Sequence, residues 1–268
     1  MAEPIPLGFG FVYDEELAFA QELADRADEI SMSFFRGEFR VSRKADATPV
    51  TEADLAVEAM IREALARRYP DDAVLGEEHG MERAGSRSGS RVWVVDPIDG
   101  TKNFAGGIQV WATLIALVVD DRPEVGVASA PALGERYAAA LGSGVTLNGE
   151  PVAVSGVDDL GEALLVSSGM SDWLDGRWAA GYRAVASRAA RTRGFGDFWG
   201  HALVARGAAE AMLEPQLRIW DWAALQVVVE EAGGRITQLD GSPLADRASC
   251  LTTNSRLHDE VVRLMSAG

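Results

Sequence analysis

Residues 91–104 of the chain have the sequence Arg-Val-Trp-Val-Val-Asp-Pro-Ile-Asp-Gly-Thr-Lys-Asn-Phe. The run 92–95 is apolar and mostly β-branched, which predicts a short strand buried on both faces of a sheet. Asp96 and Asp99 follow this strand, and Pro97 and Gly100 favour a stiff, sharp turn around them. This corner of the backbone is therefore expected to hold two carboxylates in fixed directions.

Two carboxylates on one stiff corner repel each other unless a cation lies between them. Hard divalent cations such as Mg²⁺ prefer carboxylate oxygens, so Asp96 and Asp99 form a candidate metal site. A helix beginning after Asp99 would place free N–H groups of Gly100 and Thr101 where they stabilise a phosphate. The pattern indicates metal-assisted phosphate chemistry. An isolated Asp-Pro-x-Asp-Gly is more often a plain turn, so the rest of the chain must distinguish the two interpretations.

Composition and charge exclude several classes of protein. The chain has 268 residues, of which 47% are hydrophobic and 25% charged, which is typical of a globular protein with a large core. The net charge of −16 disfavours nucleic acids and anionic membranes as partners. Cys250 is the single cysteine, which fits a reducing compartment. Residues 1–16 lack the basic start of a signal peptide, and the longest apolar run, 111–119, is too short to span a bilayer. We therefore expect a cytoplasmic protein.

Periodicity divides the chain into an α+β half and an α/β half. Helices are predicted at 14–35, from Thr51 to Pro70, near 178–190, from Asp197 towards Ala209, from Trp220 to Gly233 and at 257–265; strands are predicted at 73–75, 110–119, 124–130, 137–141, 163–167, 211–213 and 235–239. The turn-rich segment 142–151 suggests a boundary, with residues 1–145 and 146–268 forming two halves of one compact catalytic unit.

Three ordered motifs resemble the inositol monophosphatase family of Mg²⁺-dependent, lithium-sensitive phosphomonoesterases. They are Asp96–Thr101, Gly76-Glu77-Glu78, and Trp220–Ala224 together with Glu231–Gly234. Residues 51–54 and Lys44 also fit the family pattern, and the resemblance covers nearly the whole chain. It implies a layered α-β-α-β-α sandwich and a homodimer.

The resemblance also implies a role for each matching residue. The metal ligands for two or three Mg²⁺ ions would be Glu77, Asp96, Asp99, Asp221 and the carbonyl of Ile98. Thr101 and Asp54 would orient the attacking water, Lys44 would lie close to the site, and N–H groups of Gly100 and Thr101 would hold the phosphate. Judged by the residues alone, the favoured interpretation of Asp54 is a first-turn acid that complements a helix dipole. Asp221 could likewise be an N-cap residue, a position that could coexist with metal binding.

The segment 194–199 departs from many family members and resembles the histidinol-phosphate phosphatase branch. Its Asp197 suits a positively charged substrate, and Phe198 and Trp199 suit a planar ring. Glu214 would contact the ammonium or imidazole of that substrate, and Arg193 is a further candidate for substrate binding. Asp197 could instead only cap its own helix. His201 is interpreted as structural and His258 as a surface residue.

Other functions stay open at this point. Within the family, the substrate could be inositol 1-phosphate or 3′-phosphoadenosine 5′-phosphate. Phosphatases of the haloacid dehalogenase type attack through the first aspartate of Asp-x-Asp-x-Thr, but two residues separate Asp96 from Asp99. A non-catalytic metal-binding relative is disfavoured, because Thr101 and every expected ligand are present.

Overall fold

The computed structural model describes residues 12–35, 37, 41–43, 49–82 and 91–267 of the chain. The helices in these ranges are α1 (Asp14–Phe35), α2 (Glu52–Arg68), α3 (Thr101–Ala105), α4 (Ala179–Ala186), α5 (Asp197–Ala205), α6 (Ile219–Glu231) and α7 (His258–Ser266). Two single turns of 3₁₀ helix span Leu160–Glu162 and Met170–Trp173. Within the same ranges, no helix combines the length and apolarity needed to cross a membrane.

The strands form three sheets. An antiparallel pair joins β1 (Val41–Arg43) to β2 (Pro49–Thr51). The large sheet contains β3 (Ala73–Gly76), β4 (Gly80–Glu82), β5 (Arg91–Asp99), β6 (Ala112–Val119), β7 (Arg122–Ala130), β8 (Glu135–Ala140), β9 (Gly144–Leu147) and β10 (Glu150–Pro151), in the order β10-β9-β8-β7-β6-β5-β3-β4. The small sheet contains β11 (Leu164–Ser167), β12 (Arg191–Arg193), β13 (Ala211–Leu217), β14 (Arg235–Thr237) and β15 (Ala248–Thr253), in the order β12-β11-β13-β15-β14.

Alternation of apolar side chains along the strands produces five layers. Trp93 and Val95 on β5 pack against α1 and α2, whereas Val94 faces the middle layer of α5 and α6. The small sheet packs on the other side of α5 and carries α4 and α7 on its outer face. The order is therefore helices, large sheet, helices, small sheet, helices, which confirms the predicted α-β-α-β-α sandwich.

The middle layer lies very close to the large sheet. A Cβ on Gly126 of β7 would come within 2.3 Å of the Ala224 carbonyl oxygen on α6. Only a glycine admits this approach, which brings α6 into close contact with the large sheet at β7, two strands away from β5.

Predicted and observed elements differ mainly at their ends and in the shortest strands. The sequence did not indicate β1, β2, β4, β9, β10 or β12, which contain two to four residues each. The large sheet continues through β10, beyond the proposed boundary at residue 145. The division into two halves therefore stays an interpretation.

His258 was predicted at the surface, and this is wrong. Its side chain is fully buried, with Nε2 at 3.0 Å from Thr237 Oγ1 and Nδ1 at 2.9 Å from Thr253 Oγ1. These contacts attach the start of α7 to β14 and β15. Burial, assisted by the charge of Arg235, lowers the pKa of His258 to about 4.

Replacing His258 by glutamine is expected to reduce the loss of stability on acidification. An unfolded histidine gains a proton below its ordinary pKa of about 6.5, but the folded one stays neutral until about pH 4. The unfolded state is therefore favoured progressively as the pH falls through this window, by about 2 kcal/mol at pH 5 relative to pH 8. Urea unfolding of both proteins at the two pH values measures the difference, and an equal decrease in both would contradict it.

Candidate active site

The end of β5 fixes the first two acids of the site. Asp96 and Asp99 are 2% and 8% exposed, so both lie below the surface. The N–H of Ile98 donates to Asp96 Oδ1 at 3.0 Å, which closes the corner on itself. Gly100 then adopts a φ of +83°, a left-handed conformation that lets α3 begin directly after Asp99.

Two other elements bring further acids to this corner. Strand β3 pairs in parallel with β5, with Gly76 opposite Val95, so Glu77 follows at the same edge as Asp96. Helix α6 contributes Asp221, and carboxylate oxygens of Asp96, Asp99 and Asp221 lie within 4.8 Å of one another. Glu77 lines the same cavity without joining this group of three.

Asp221 occupies a different position in its helix from the predicted one. Helix α6 begins at Ile219 with Arg218 as its N-cap, so Asp221 is the third helical residue and not the cap itself. Its Oδ2 accepts the N–H of Arg218 at 2.7 Å. This contact holds the carboxylate at the helix start and turns it towards the cavity.

The acids destabilise one another's ionised forms. Burial raises the pKa of Asp96 well above its usual range, and the charges of Glu77, Asp99 and Asp221 add to this. Burial and the charge of Asp197 likewise raise the pKa of Asp99. The pKa of Asp221 rises to about 7, chiefly through burial. A bound cation would relieve this repulsion.

The cluster fits a hard divalent cation. Its donors are all carboxylate or carbonyl oxygens, the type that Mg²⁺ binds in proteins. They open into a cavity of about 580 Å³, which Ile98, Gly100 and Thr101 also line. Oxygen donors, crowded negative charge and adjacent space together make this a candidate metal centre.

Asp54 and Thr101 form a pair at the edge of this centre. Asp54 Oδ2 accepts the N–H of Thr51 at 2.7 Å and completes a capping box at the start of α2. Its Oδ1 lies 3.4 Å from Thr101 Oγ1, and the same hydroxyl oxygen lies 3.0 Å from the Ile98 carbonyl oxygen, so one hydroxyl proton can be donated to either acceptor. Asp54 therefore completes the capping box and lies beside Thr101 at once, while its role in orienting a water stays a prediction.

Asp197 lies in the cavity but does not cap its own helix, so that interpretation is wrong. The N–H of Phe198 donates to Asp99 Oδ2 at 2.6 Å, and the acid from β5 thus caps α5. Asp197 has a left-handed φ of +51°, and its Oδ2 accepts from Asn103 Nδ2 at 2.8 Å. Burial raises the pKa of Asp197 to about 6, although Lys102 and Asn103 act in the opposite direction.

Glu214 faces the same cavity from β13 and is 5% exposed. Burial, together with the charge of Asp197, raises its pKa well above the usual range. The Phe195 ring also lines the cavity, whereas Trp199 donates from Nε1 to Glu135 Oε2 at 3.2 Å. Of the aromatic residues in this segment, Phe195 and Phe198 line the cavity and Trp199 does not; Phe198 packs into the core, so Phe195 supplies the accessible ring.

One candidate is not brought to the cavity. Arg193 is exposed on β12, does not line the cavity and donates to the neighbouring carbonyl of Thr192 at 2.8 Å. Lys44 lies outside the described residues. Sequence reasoning missed Lys102 and Asn103, which line the cavity beside Asp197. Their position directly after the Asp96–Thr101 motif was the available signal.

Comparisons with known proteins agree with this architecture. Residues 13–267 match the inositol monophosphatase family. The histidinol-phosphatase of Mycobacterium tuberculosis is 45% identical, covering 95% of this chain and 99% of the relative, and that of Streptomyces coelicolor is 42% identical, covering 93% and 96%. The solved inositol monophosphatase of Anabaena superposes with a TM-score of 0.84 at 29% identity, covering 96% of this chain and 97% of the other.

Proposed function

The chain belongs to the inositol monophosphatase family, and we propose that this phosphoric monoester hydrolase converts L-histidinol phosphate and water to L-histidinol and phosphate. The observation that carries the choice of substrate is the pair Asp197 and Glu214, a half-buried and a fully buried acid that share one cavity with the metal centre. Histidinol carries an ammonium group and an imidazole, whereas inositol carries only hydroxyl groups. Acids that are shielded from bulk water favour the cationic substrate, because a lower dielectric strengthens their attraction for it.

The metal would be Mg²⁺, with two or three ions held by Glu77, Asp96, Asp99, Asp221 and the Ile98 carbonyl. When bound, these ions supply a water of lowered pKa and stabilise the charge on the departing oxygen. The crowding of carboxylates at Asp96 supports this assignment, since the cluster is most stable when its charge is balanced.

The protein's own groups position the reactants. Thr101 Oγ1 would accept a proton from the attacking water while its own proton passes to Asp54 Oδ1. The water oxygen bonds to phosphorus as the ester P–O bond breaks, and the alkoxide leaving group takes a proton from solvent. N–H groups of Gly100 and Thr101, beside Lys102, would hold the phosphate oxygens during this step. No covalent phosphoenzyme is required.

A substrate panel tests the proposal. Phosphate release is measured with histidinol phosphate, inositol 1-phosphate and 3′-phosphoadenosine 5′-phosphate, with and without Mg²⁺. We expect kcat/KM for histidinol phosphate to exceed the other two by about 100-fold or more, since a buried charge left unpaired by the wrong substrate is costly. Faster turnover of inositol 1-phosphate would contradict the assignment, and a borohydride-trapped phosphoester on Asp96 would contradict the direct attack of water.

A homodimer, which the family resemblance implies, and a cytoplasmic location, which fits the single cysteine, complete the proposal. The partner in catalysis would be a small phosphorylated metabolite, and the negative net charge of −16 disfavours a nucleic acid or an anionic membrane.

A further inference from the structure

Helix α2 carries a polar line of side chains along one face. Thr51, Asp54, Glu58 and Arg62 follow one another at intervals of three and four residues, so they lie on the same side of the helix. Asp54 and Glu58 are both fully buried. Asp54 contacts Thr101 after β5, and Glu58, one turn later, contacts the turn after β3. A single helix face therefore touches both strand ends that supply the acids.

Glu58 binds the backbone directly after Glu77. Its Oε2 accepts the N–H of Glu78 at 2.7 Å, and its Oε1 accepts the N–H of His79 at 3.1 Å. Oε1 also lies 3.0 Å from His79 Nδ1. A buried carboxylate with several donors is an unusually strong hydrogen-bonding group, so the turn 77–79 is held to the helix.

Gly76 fixes the turn from the other side. A Cβ at this position would lie 2.3–2.6 Å from the carboxylate of Glu58, an approach that only glycine admits. Glu77 thus lies between Gly76, which contacts the Glu58 carboxylate, and the next two residues, whose N–H groups donate to that carboxylate. The N–H of Glu77 itself donates to the Val95 carbonyl at 3.2 Å.

Arg62 balances the buried charge and extends the attachment along the hairpin. Its Nε donates to Glu58 Oε1 at 2.8 Å, and its Nη2 donates to the Gly80 carbonyl at 2.6 Å. The pair therefore holds the β3–β4 hairpin at residues 78–80. Buried ion pairs contribute little net stability compared with apolar packing, so a positional role explains this pair better than a stabilising one.

We propose that Glu58 is a positioning residue for the metal centre. By holding the turn 77–79 against α2, it directs the Glu77 carboxylate to the cavity beside Asp96. This inference rests on the proposed role of Glu77 as a metal ligand. It adds a residue that contacts neither metal nor substrate but determines how well Glu77 binds.

Glu58→Gln tests this role. The amide keeps the size of the side chain, but its NH₂ group must face an N–H group or Arg62, so at least one contact becomes repulsive. Titration calorimetry of the metal-free protein with Mn²⁺ should show about 10- to 100-fold weaker binding, the range for residues that orient a ligand. The Mg²⁺ concentration for half-maximal phosphate release should rise by a similar factor, with kcat at saturating Mg²⁺ changing by less than about threefold.

A double-mutant cycle with Glu77→Gln separates positioning from a general structural effect. If Glu58 acts through Glu77, adding Glu58→Gln to Glu77→Gln causes little further loss of Mn²⁺ affinity. Glu63→Gln, which removes an exposed ion pair with Arg67 on the same helix, is the matched control and should leave affinity unchanged. Circular dichroism confirms that each variant is folded.

The outcomes are distinguishable. Unchanged Mn²⁺ affinity in Glu58→Gln, or an equal loss with and without Glu77, overturns the positioning role while leaving the proposed function intact. A wild-type protein that binds no Mn²⁺ overturns both. Should Glu58→Gln fail to fold, Gly76→Ala displaces the same carboxylate from the opposite side and should weaken Mn²⁺ binding in the same way.

Discussion

Asp96→Asn is expected to abolish Mg²⁺-dependent phosphate release, with kcat lower by about 10³-fold or more, or about 4 kcal/mol of transition-state stabilisation. Asp96 is the most deeply buried acid of the centre, and the charges of Glu77, Asp99 and Asp221 all act on it. Asparagine preserves the acceptor for the Ile98 N–H, which is 3.0 Å from Oδ1. The backbone corner is therefore retained in the variant, and the decrease in kcat measures the effect of removing the charge.

Although Asp96→Asn loses activity, its thermal stability without metal should be higher than that of the wild type. Without metal, Asp96→Asn removes a source of repulsion inside the cluster, so its melting temperature should exceed that of the metal-free wild type. Added Mg²⁺ should stabilise the wild type more than the variant. Scanning calorimetry with and without Mg²⁺ measures both effects. Asp121→Asn, at an exposed turn between β6 and β7, is the control, and unchanged turnover in Asp96→Asn would defeat the hydrolase hypothesis.

Local patterns in the sequence were sufficient for much of the fold. The apolar run 92–95 predicted a buried strand, and Pro97 and Gly100 predicted the corner that follows it. These signals succeed because the conformation of such segments depends on neighbouring residues and on burial on both faces. The same reasoning predicted helix α2 from its capping pattern at Thr51–Asp54.

Contacts between distant parts of the chain could not be predicted in this way. The N–H of Phe198 donates to Asp99, which lies 99 residues away in the chain. The sequence around Asp197 therefore gave no sign that a distant acid, and not Asp197, caps helix α5. Glu58 looks like an ordinary acid in the middle of a helix until the fold places the turn 77–79 against it. His258 was assigned to the surface because its buried hydroxyl partners lie on two separate strands.

Asp197→Asn is expected to lower kcat/KM for histidinol phosphate by about 30-fold or more, or about 2 kcal/mol, since removing one charge of a pair that is shielded from water costs this much. For inositol 1-phosphate, which carries no cation, the change should stay within about threefold. Both kcat/KM values should be measured at pH 8, because the Asp197 carboxyl, with a pKa of about 6, is ionised at that pH. As the pH falls through 6 the acid gains its proton, and the preference of the wild type for histidinol phosphate should decline.

Asparagine is the informative replacement because of the backbone at this position. The φ of +51° at Asp197 is left-handed, where asparagine is tolerated and alanine adds strain of about 1 kcal/mol. An alanine variant would thus disturb the start of α5, including the Phe198 N–H that binds Asp99, and would impair both substrates. Asparagine keeps an oxygen for Asn103 and removes only the charge. Asp175→Asn, on an exposed loop outside the cavity, controls for the change in net charge. Equal losses with both substrates would show that Asp197 supports the metal centre and does not select the substrate.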